Sequence, residues 1–266
     1  MRDHVRRIGS ALSRRALLGL GAAAIGVVIH GSRSALGRLS GRTTSADPEA
    51  DRGLRERSIR NLKQIGMAMH GYHEAHGHFP PAALTGPAGE PLLSWRVAIL
   101  PYLAHRDLYE RFRPDEPWDG PSNRGMLSEM PEVYALPNLG TGPTCETFYR
   151  GFIGEGAFFD GTRRIRIADI TDGTVNTLMV VEAGEPVAWT KPDELPIEAG
   201  SPLPSLGGPF ADGFHALTCD GWVRFLTQEV DGDLLRHAIT RNDDEVIRVD
   251  RLCRSSGRDG RGPRPS

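Results

Sequence analysis

LRERSIRNLKQIGMAMHGYHEAH, Leu54–His76, decides the architecture. Ile59, Leu62, Ile65, Met69, Tyr72 and His76 recur at steps of three and four, while Arg55, Arg57, Arg60, Lys63 and Gln64 mostly fall elsewhere. A stripe with that period is one face of an α-helix that needs another element to cover it. Gly77 follows as a residue able to take the left-handed exit, and Pro80-Pro81 forbid continuation. The stretch therefore predicts a helix that closes at His76.

Four of the chain's nine histidines, His70, His73, His76 and His78, crowd that helix end and its exit. Steps of three residues turn by roughly 60°, so His70, His73 and His76 fan over about 120° of helix surface. Neighbouring pairs could share a metal, whereas all three on one ion is awkward. Imidazoles near a helix C-terminus also meet the negative dipole end and the last free carbonyls. His76, on the apolar stripe, is expected as a hydrogen-bonded core histidine. Structural use is the main expectation for the cluster. Metal ligation by His70, His73 or His76, and acid–base work, are the alternatives.

A length of 266 residues with 39% apolar and 25% charged residues is that of a globular chain with one sizeable core. Gly 32 and Pro 20 disfavour an all-helical bundle. The 32 basic and 34 acidic residues nearly balance, so no nucleic-acid partner is expected. Cys145, Cys219 and Cys253 are widely spaced and permit one disulfide at most, with Cys145–Cys219 the pairing considered. No cofactor is expected, because no phosphate loop, GxSxG, HExxH or dinucleotide fingerprint occurs.

The amino end, MRDHVRRIGSALSRR, is followed by uncharged ALLGLGAAAIGVVI, Ala16–Ile29. A basic flank before a short apolar run reads as an export signal or membrane anchor. Arg14-Arg15 before Ala16-Leu17-Leu18 looks like a twin-arginine signal. The expected organisation is a signal or anchor at 1–31, a linker at 32–51, a folded domain at 52–250 and a disordered tail at 251–266.

Within the domain, Trp95–Leu103 reads as a short helix broken at Pro101, and His105–Phe112 as another. Pro114–Trp118 reads as loop, whose Asp115, Glu116 and Asp119 could cradle a hard cation, though without EF-hand spacing. Thr147–Phe152, Arg164–Ile167 and Thr177–Glu182 read as strands. Asp172 is expected as an Asx-turn residue, with a carboxylate site of Asp169, Asp172, Asn176 and Glu182 as the alternative. Phe214–Cys219 and Trp222–Leu226 flank Asp220-Gly221, a two-residue hairpin signal. Asp231–Thr240 reads as a closing helix.

Asn61–Gly66, His70, Tyr72, His73, His76-Gly77 and Phe79-Pro80-Pro81 together resemble a bacterial prepilin-like family, domain-of-unknown-function family fifteen-fifty-nine, once labelled solute-binding-protein-like. The resemblance continues through Ser94–Leu103, Leu108-Tyr109, Asp115–Asp119, Asp172–Thr177, Glu182, Trp189–Pro192 and Cys219–Leu226. It implies a pilin-like α+β fold, a long N-terminal helix packed on an antiparallel sheet with long loop insertions, and no established enzymatic activity. The chain departs from the family pattern in three places. It has no Gly-Phe-Thr-Leu-Val-Glu run, no His ten positions before Asp220, where Phe210 stands, and Ala135-Leu136-Pro137 where relatives often carry Cys-Pro.

The expectation is an exported or membrane-tethered structural or interaction module of the cell envelope. Its partners would be the cytoplasmic membrane through the N-terminal segment, and envelope proteins or further copies of itself. A second reading is an extracytoplasmic ligand-binding protein with Trp95, Trp118 and Trp189 lining a pocket. A third is a metal-dependent hydrolase using His70, His73 or His76.

Overall fold

The computed structural model describes residues 48–136, 145–161, 163–245, 247–249 and 252. The expectations placed on Arg14, Arg15, Ala16–Ile29 and Cys253 lie outside the described residues. Helix α1 spans Pro48–His76 and so begins within the stretch read as linker. Pro48 suits a first helical position, since its missing N–H would have no partner there. Glu49 and Asp51 face the positive end of the helix dipole. At the far end Gly77 donates its N–H to the His73 carbonyl at 2.8 Å and adopts φ +76°, the exit that the sequence implies.

After α1 the chain forms a small hairpin, β1 (Ala83–Thr85) with β2 (Pro91–Ser94). Short helices α2 (Trp95–Ala98) and α3 (Arg106–Arg111) follow, with a 3-10 turn Leu100–Leu103 between them. Ser94 caps α2, its Oγ accepting the Arg96 N–H at 3.2 Å. The remaining strands are β3 (Glu146–Arg150), β4 (Phe152–Ile153), β5 (Leu178–Ala188), β6 (Leu195–Pro196), β7 (Gly213–Thr218) and β8 (Val223–Thr227), before α4 (Gly232–Ile239). The main sheet is antiparallel in the order β3-β5-β7-β8, and β4 pairs in parallel with β6. The architecture is α+β, with the N-terminal helix packed on the sheet, as the sequence leads one to expect.

The sheet separates two apolar clusters. Leu62, Ile65, Ala68 and Met69 of α1 meet Tyr149, Val180 and Leu217 on one face, together with Trp95, Val97, Phe158 and Trp189. On the other, Leu235, Ala238 and Ile239 of α4 meet Val181, Ala183, Phe214, Ala216 and Leu226. Full burial of Leu62, Ile65 and Met69 contributes about 1.5–3 kcal/mol each. Gly66 permits the close approach of α1 to β7: a Cβ there would lie 3.1 Å from a Leu217 methyl.

Several local expectations are corrected. The buried face of α1 is Leu54, Ser58, Asn61, Leu62, Ile65, Gly66, Ala68 and Met69, so polar Ser58 and Asn61 are covered while Ile59 is half-buried and His76 is exposed. Arg164–Ile167 is not a strand; the segment turns into a short 3-10 helix, Ile167–Asp169, closed by Asp169 accepting the Arg166 N–H at 2.8 Å. The Asp220-Gly221 hairpin has a three-residue loop, because Thr218 and Trp222 form the closing pair and Gly221 takes φ +86°. Cys145 and Cys219 are not bridged to one another. Loop Pro114–Trp118 is organised by buried Asn123, whose Nδ2 donates to the Arg113, Glu116 and Pro117 carbonyls. The Trp118 N–H is taken by the Leu92 carbonyl at 2.9 Å.

Candidate functional site

The end of α1 places its histidines near one another but turns them to different segments. His70 Nε2 lies 2.9 Å from the Cys219 carbonyl, tying the helix to the β7–β8 loop. His73 Nε2 accepts the Ile167 N–H at 3.3 Å. His76 Nε2 meets the Tyr102 hydroxyl at 3.0 Å and its ring stacks on Tyr72 at 4.1 Å. His78 Nδ1 faces the Phe79 carbonyl at 2.7 Å. His70, His73 and His76 therefore each meet a different segment, while His78 bonds its own neighbour, and among the described residues no group of three or more His, Cys, Asp or Glu is arranged to hold a metal. Desolvation, then the neighbouring His70 and His78, push the His73 imidazole below its ordinary value.

A second polar constellation lies deeper, under α1 at mid-sheet. Glu182 of β5 is fully buried and accepts the Ser58 hydroxyl from α1 and the His215 N–H from β7, the latter at 2.6 Å. His215 Nδ1 stands 3.1 Å from the same carboxylate. Tyr149 of β3 completes the group, its hydroxyl 3.0 Å from Ser58 Oγ and accepting Asn61 Nδ2 at 3.3 Å. Burial, then the Glu182 charge, push the Tyr149 hydroxyl far above its ordinary value. The His215 ring is held edge-on by Phe210 and Phe225, with the Arg55 guanidinium over both phenyl rings.

Serine, acid and histidine occur here in the wrong order for nucleophilic catalysis. In a hydrolytic triad the imidazole stands between hydroxyl and carboxylate and takes the hydroxyl proton. Here Glu182 stands between Ser58 and His215, and all three are closed off from solvent. The arrangement instead satisfies polar groups that join α1 to three adjacent strands.

The third constellation is the ion pair of Arg96 and Glu194, with side chains 0% and 1% exposed and 2.9 Å apart. Arg96 also donates Nε and Nη2 to the Tyr149 carbonyl at 2.9 and 2.7 Å, and Glu194 accepts the Gly151 N–H at 2.6 Å. Burial lowers the guanidinium and raises the carboxyl, while their mutual attraction opposes both shifts. The pair fastens α2 to β3 and to the segment leading into β6.

The acids considered as one carboxylate site are dispersed. Asp169 pairs with Arg166, and Glu182 belongs to the buried network. Asn176 donates to the Asp172 carbonyl at 2.9 Å. Asp172 is not a simple Asx-turn residue: its carboxylate accepts the N–H groups of Asp243 and Asp244 at 2.8 and 3.2 Å, stitching the segment after α4 to the β5 approach. Among the described residues, Trp95, Trp118 and Trp189 pack in the apolar core rather than around a shared cleft. Trp95 is buried against Phe159, Trp189 against Phe112 and Tyr134, and Trp118 is partly buried at the edge of the same cluster. A cleft of about 650 Å³ lies elsewhere, between Ile153, Ile197, Leu203, Arg236 and Ile239.

Glu182 and His215 were visible as isolated residue types in the sequence, but their meeting was not, because adjacency on neighbouring strands is set by register. Ser58, Asn61, Arg96 and Glu194 carried no local signal as a site.

Fold and polar scaffold define an α+β protein whose N-terminal helix is locked to an antiparallel sheet. Residues 55–139 match the model of a family described as a protein of unknown function, DUF1559. The matched stretch contains the histidine-rich helix end and α2, so the resemblance is borne out there. No curated protein and no solved structure matches the chain.

Proposed function

We propose that this chain is a pilin-like structural or interaction module of the cell envelope, exported or tethered to the cytoplasmic membrane through Ala16–Ile29. The observation that carries the reading is the use of α1: a long helix laid on an antiparallel sheet, with its buried polar residues Ser58 and Asn61 bonded into that sheet. Such a helix fits a rod that presents a domain at a distance from its attachment. The polar groups that could suggest chemistry serve instead as ties between segments. Among the described residues no helix is long and apolar enough to cross a membrane. The tethering role thus rests on the composition of the amino-terminal sequence.

Fractionation of cells producing the tagged full chain tests this. The domain should sit in the membrane or periplasmic fraction and be digested by protease added to spheroplasts. Deleting Ala16–Ile29, or replacing Arg14 and Arg15 by lysine if the twin-arginine route operates, should leave it protected inside the cell. A full-length chain recovered in the cytosol would overturn the proposal. The ligand-binding reading draws on one observation, the 650 Å³ cleft, whose size suits a small apolar molecule.

A further inference from the structure

We propose that His73 is an acid-released latch on the surface segment Arg163–Ile170. The segment crosses the exit of α1 and is tied to it twice. Phe79 donates its N–H to the Ile165 carbonyl at 2.8 Å, and Ile167 donates its N–H to His73 Nε2 at 3.3 Å. The first tie is backbone to backbone and indifferent to mild acid. The second is not. An amide N–H can only donate, so Nε2 must keep its lone pair and the imidazole must be neutral. A proton added to Nε2 sets one N–H against another and breaks the tie.

The neighbouring imidazoles are bonded in ways that survive protonation. His70 Nε2 and His78 Nδ1 both face carbonyl oxygens, which only accept, so both rings already donate there. His76 shares its bond with the Tyr102 hydroxyl, which can act as either donor or acceptor. His73 alone in this cluster is held by a bond that acid undoes.

His70 and His78 act on it by charge and the Phe79 ring lies 4.7 Å away; Tyr72, Glu74 and His76 are its titratable neighbours along α1, and the latched segment carries Arg163, Arg164, Arg166 and Asp169. Asp169 is already engaged by Arg166, and Arg163 by Asp160. Charge on His70 and His78 opposes charge on His73, and with desolvation sets its value below the ordinary imidazole. A lowered folded value means that the latch contributes fully above about pH 6.5, the unfolded value. Its contribution is lost as pH falls through the lower folded value. Ile165 stays buried in the core, so acid frees a surface turn carrying Arg166 and exposed Ile167 rather than unfolding the domain.

Hydrogen exchange of the full chain in detergent, corrected for intrinsic pH dependence, tests the latch alongside carbon-13 titration of the histidine rings. Protection in fragments spanning Arg163–Ile170 should fall by up to about tenfold per pH unit as pH drops from about 6.5 to the lower His73 midpoint and level off below it, while α1 and β7 stay protected. In His73→Gln the exchange of that segment should be flat with pH, because the side-chain amide does not titrate. Unchanged wild-type protection across the His73 titration, or the same acid-induced loss in His73→Gln, would overturn the proposal.

Discussion

Glu194→Gln separates charge from shape in the buried pair with Arg96. The substitution keeps the side chain's size and an oxygen able to accept the Gly151 N–H, now 2.6 Å from Glu194 Oε2. Arg96 would keep the Tyr149 carbonyl at 2.7 and 2.9 Å and Ser94 Oγ at 2.6 Å. What it loses is the counter-charge at 2.9 Å, in surroundings that expose neither side chain by more than 1%. A buried guanidinium stripped of its partner costs about 3–5 kcal/mol. With a urea slope of about 2 kcal/mol/M, the unfolding midpoint should drop by roughly 1.5–2.5 M. Urea titration of the full chain in detergent, followed by tryptophan fluorescence, reads this directly, since Trp95 and Trp189 are wholly buried. Removing both charges as Arg96→Met/Glu194→Met should cost less than the two single changes added together. A Glu194→Gln midpoint within about 0.3 M of wild type would refute the claim that this ion pair fastens α2 to the sheet.

Three further perturbations probe other ties. Leu62→Arg places a charge in the fully buried helix–sheet interface and should abolish folding, read as loss of a cooperative transition; a soluble, stable variant would contradict the packing of α1. Asp172→Ala removes the acceptor for the Asp243 and Asp244 N–H groups and should cost about 1–3 kcal/mol, with faster exchange confined to the segment after α4. Cys219 is fully buried, and burial raises its thiol well above the ordinary value, so maleimide mapped by mass spectrometry should not label it at neutral pH until denaturant unfolds the chain.

The parts of the fold readable from sequence are those with local causes. The end of α1 is fixed by Gly77 and Pro80-Pro81, and α4 begins where Asp231 accepts the N–H groups of Asp233 and Leu234. The β7–β8 hairpin is announced by Asp220-Gly221, although its loop length depends on which residues close the ladder. Arg164–Ile167 shows why alternation alone fails: a strand needs a partner, and here the chain instead turns into the capped Ile167–Asp169 helix. The apolar stripe of α1 predicts Ile59 fully inward, and the structure differs there for a tertiary reason. Buried Tyr149 and Glu182 bond Ser58 and Asn61 and draw that polar side of the helix inward. The Arg96–Glu194 and Glu182–His215 pairs are separated in sequence and meet only through topology, so no spacing rule could have found them.

The side chains suggesting chemistry, above all His70, His73 and His76, hold segments together. Metal content of the purified full chain by elemental mass spectrometry, with His73→Ala/His76→Ala beside it, tests this most directly. Neither protein should carry near-stoichiometric transition metal, and the variant should unfold at a lower midpoint. About one zinc per chain, lost in the variant with folding stability unchanged, would contradict it.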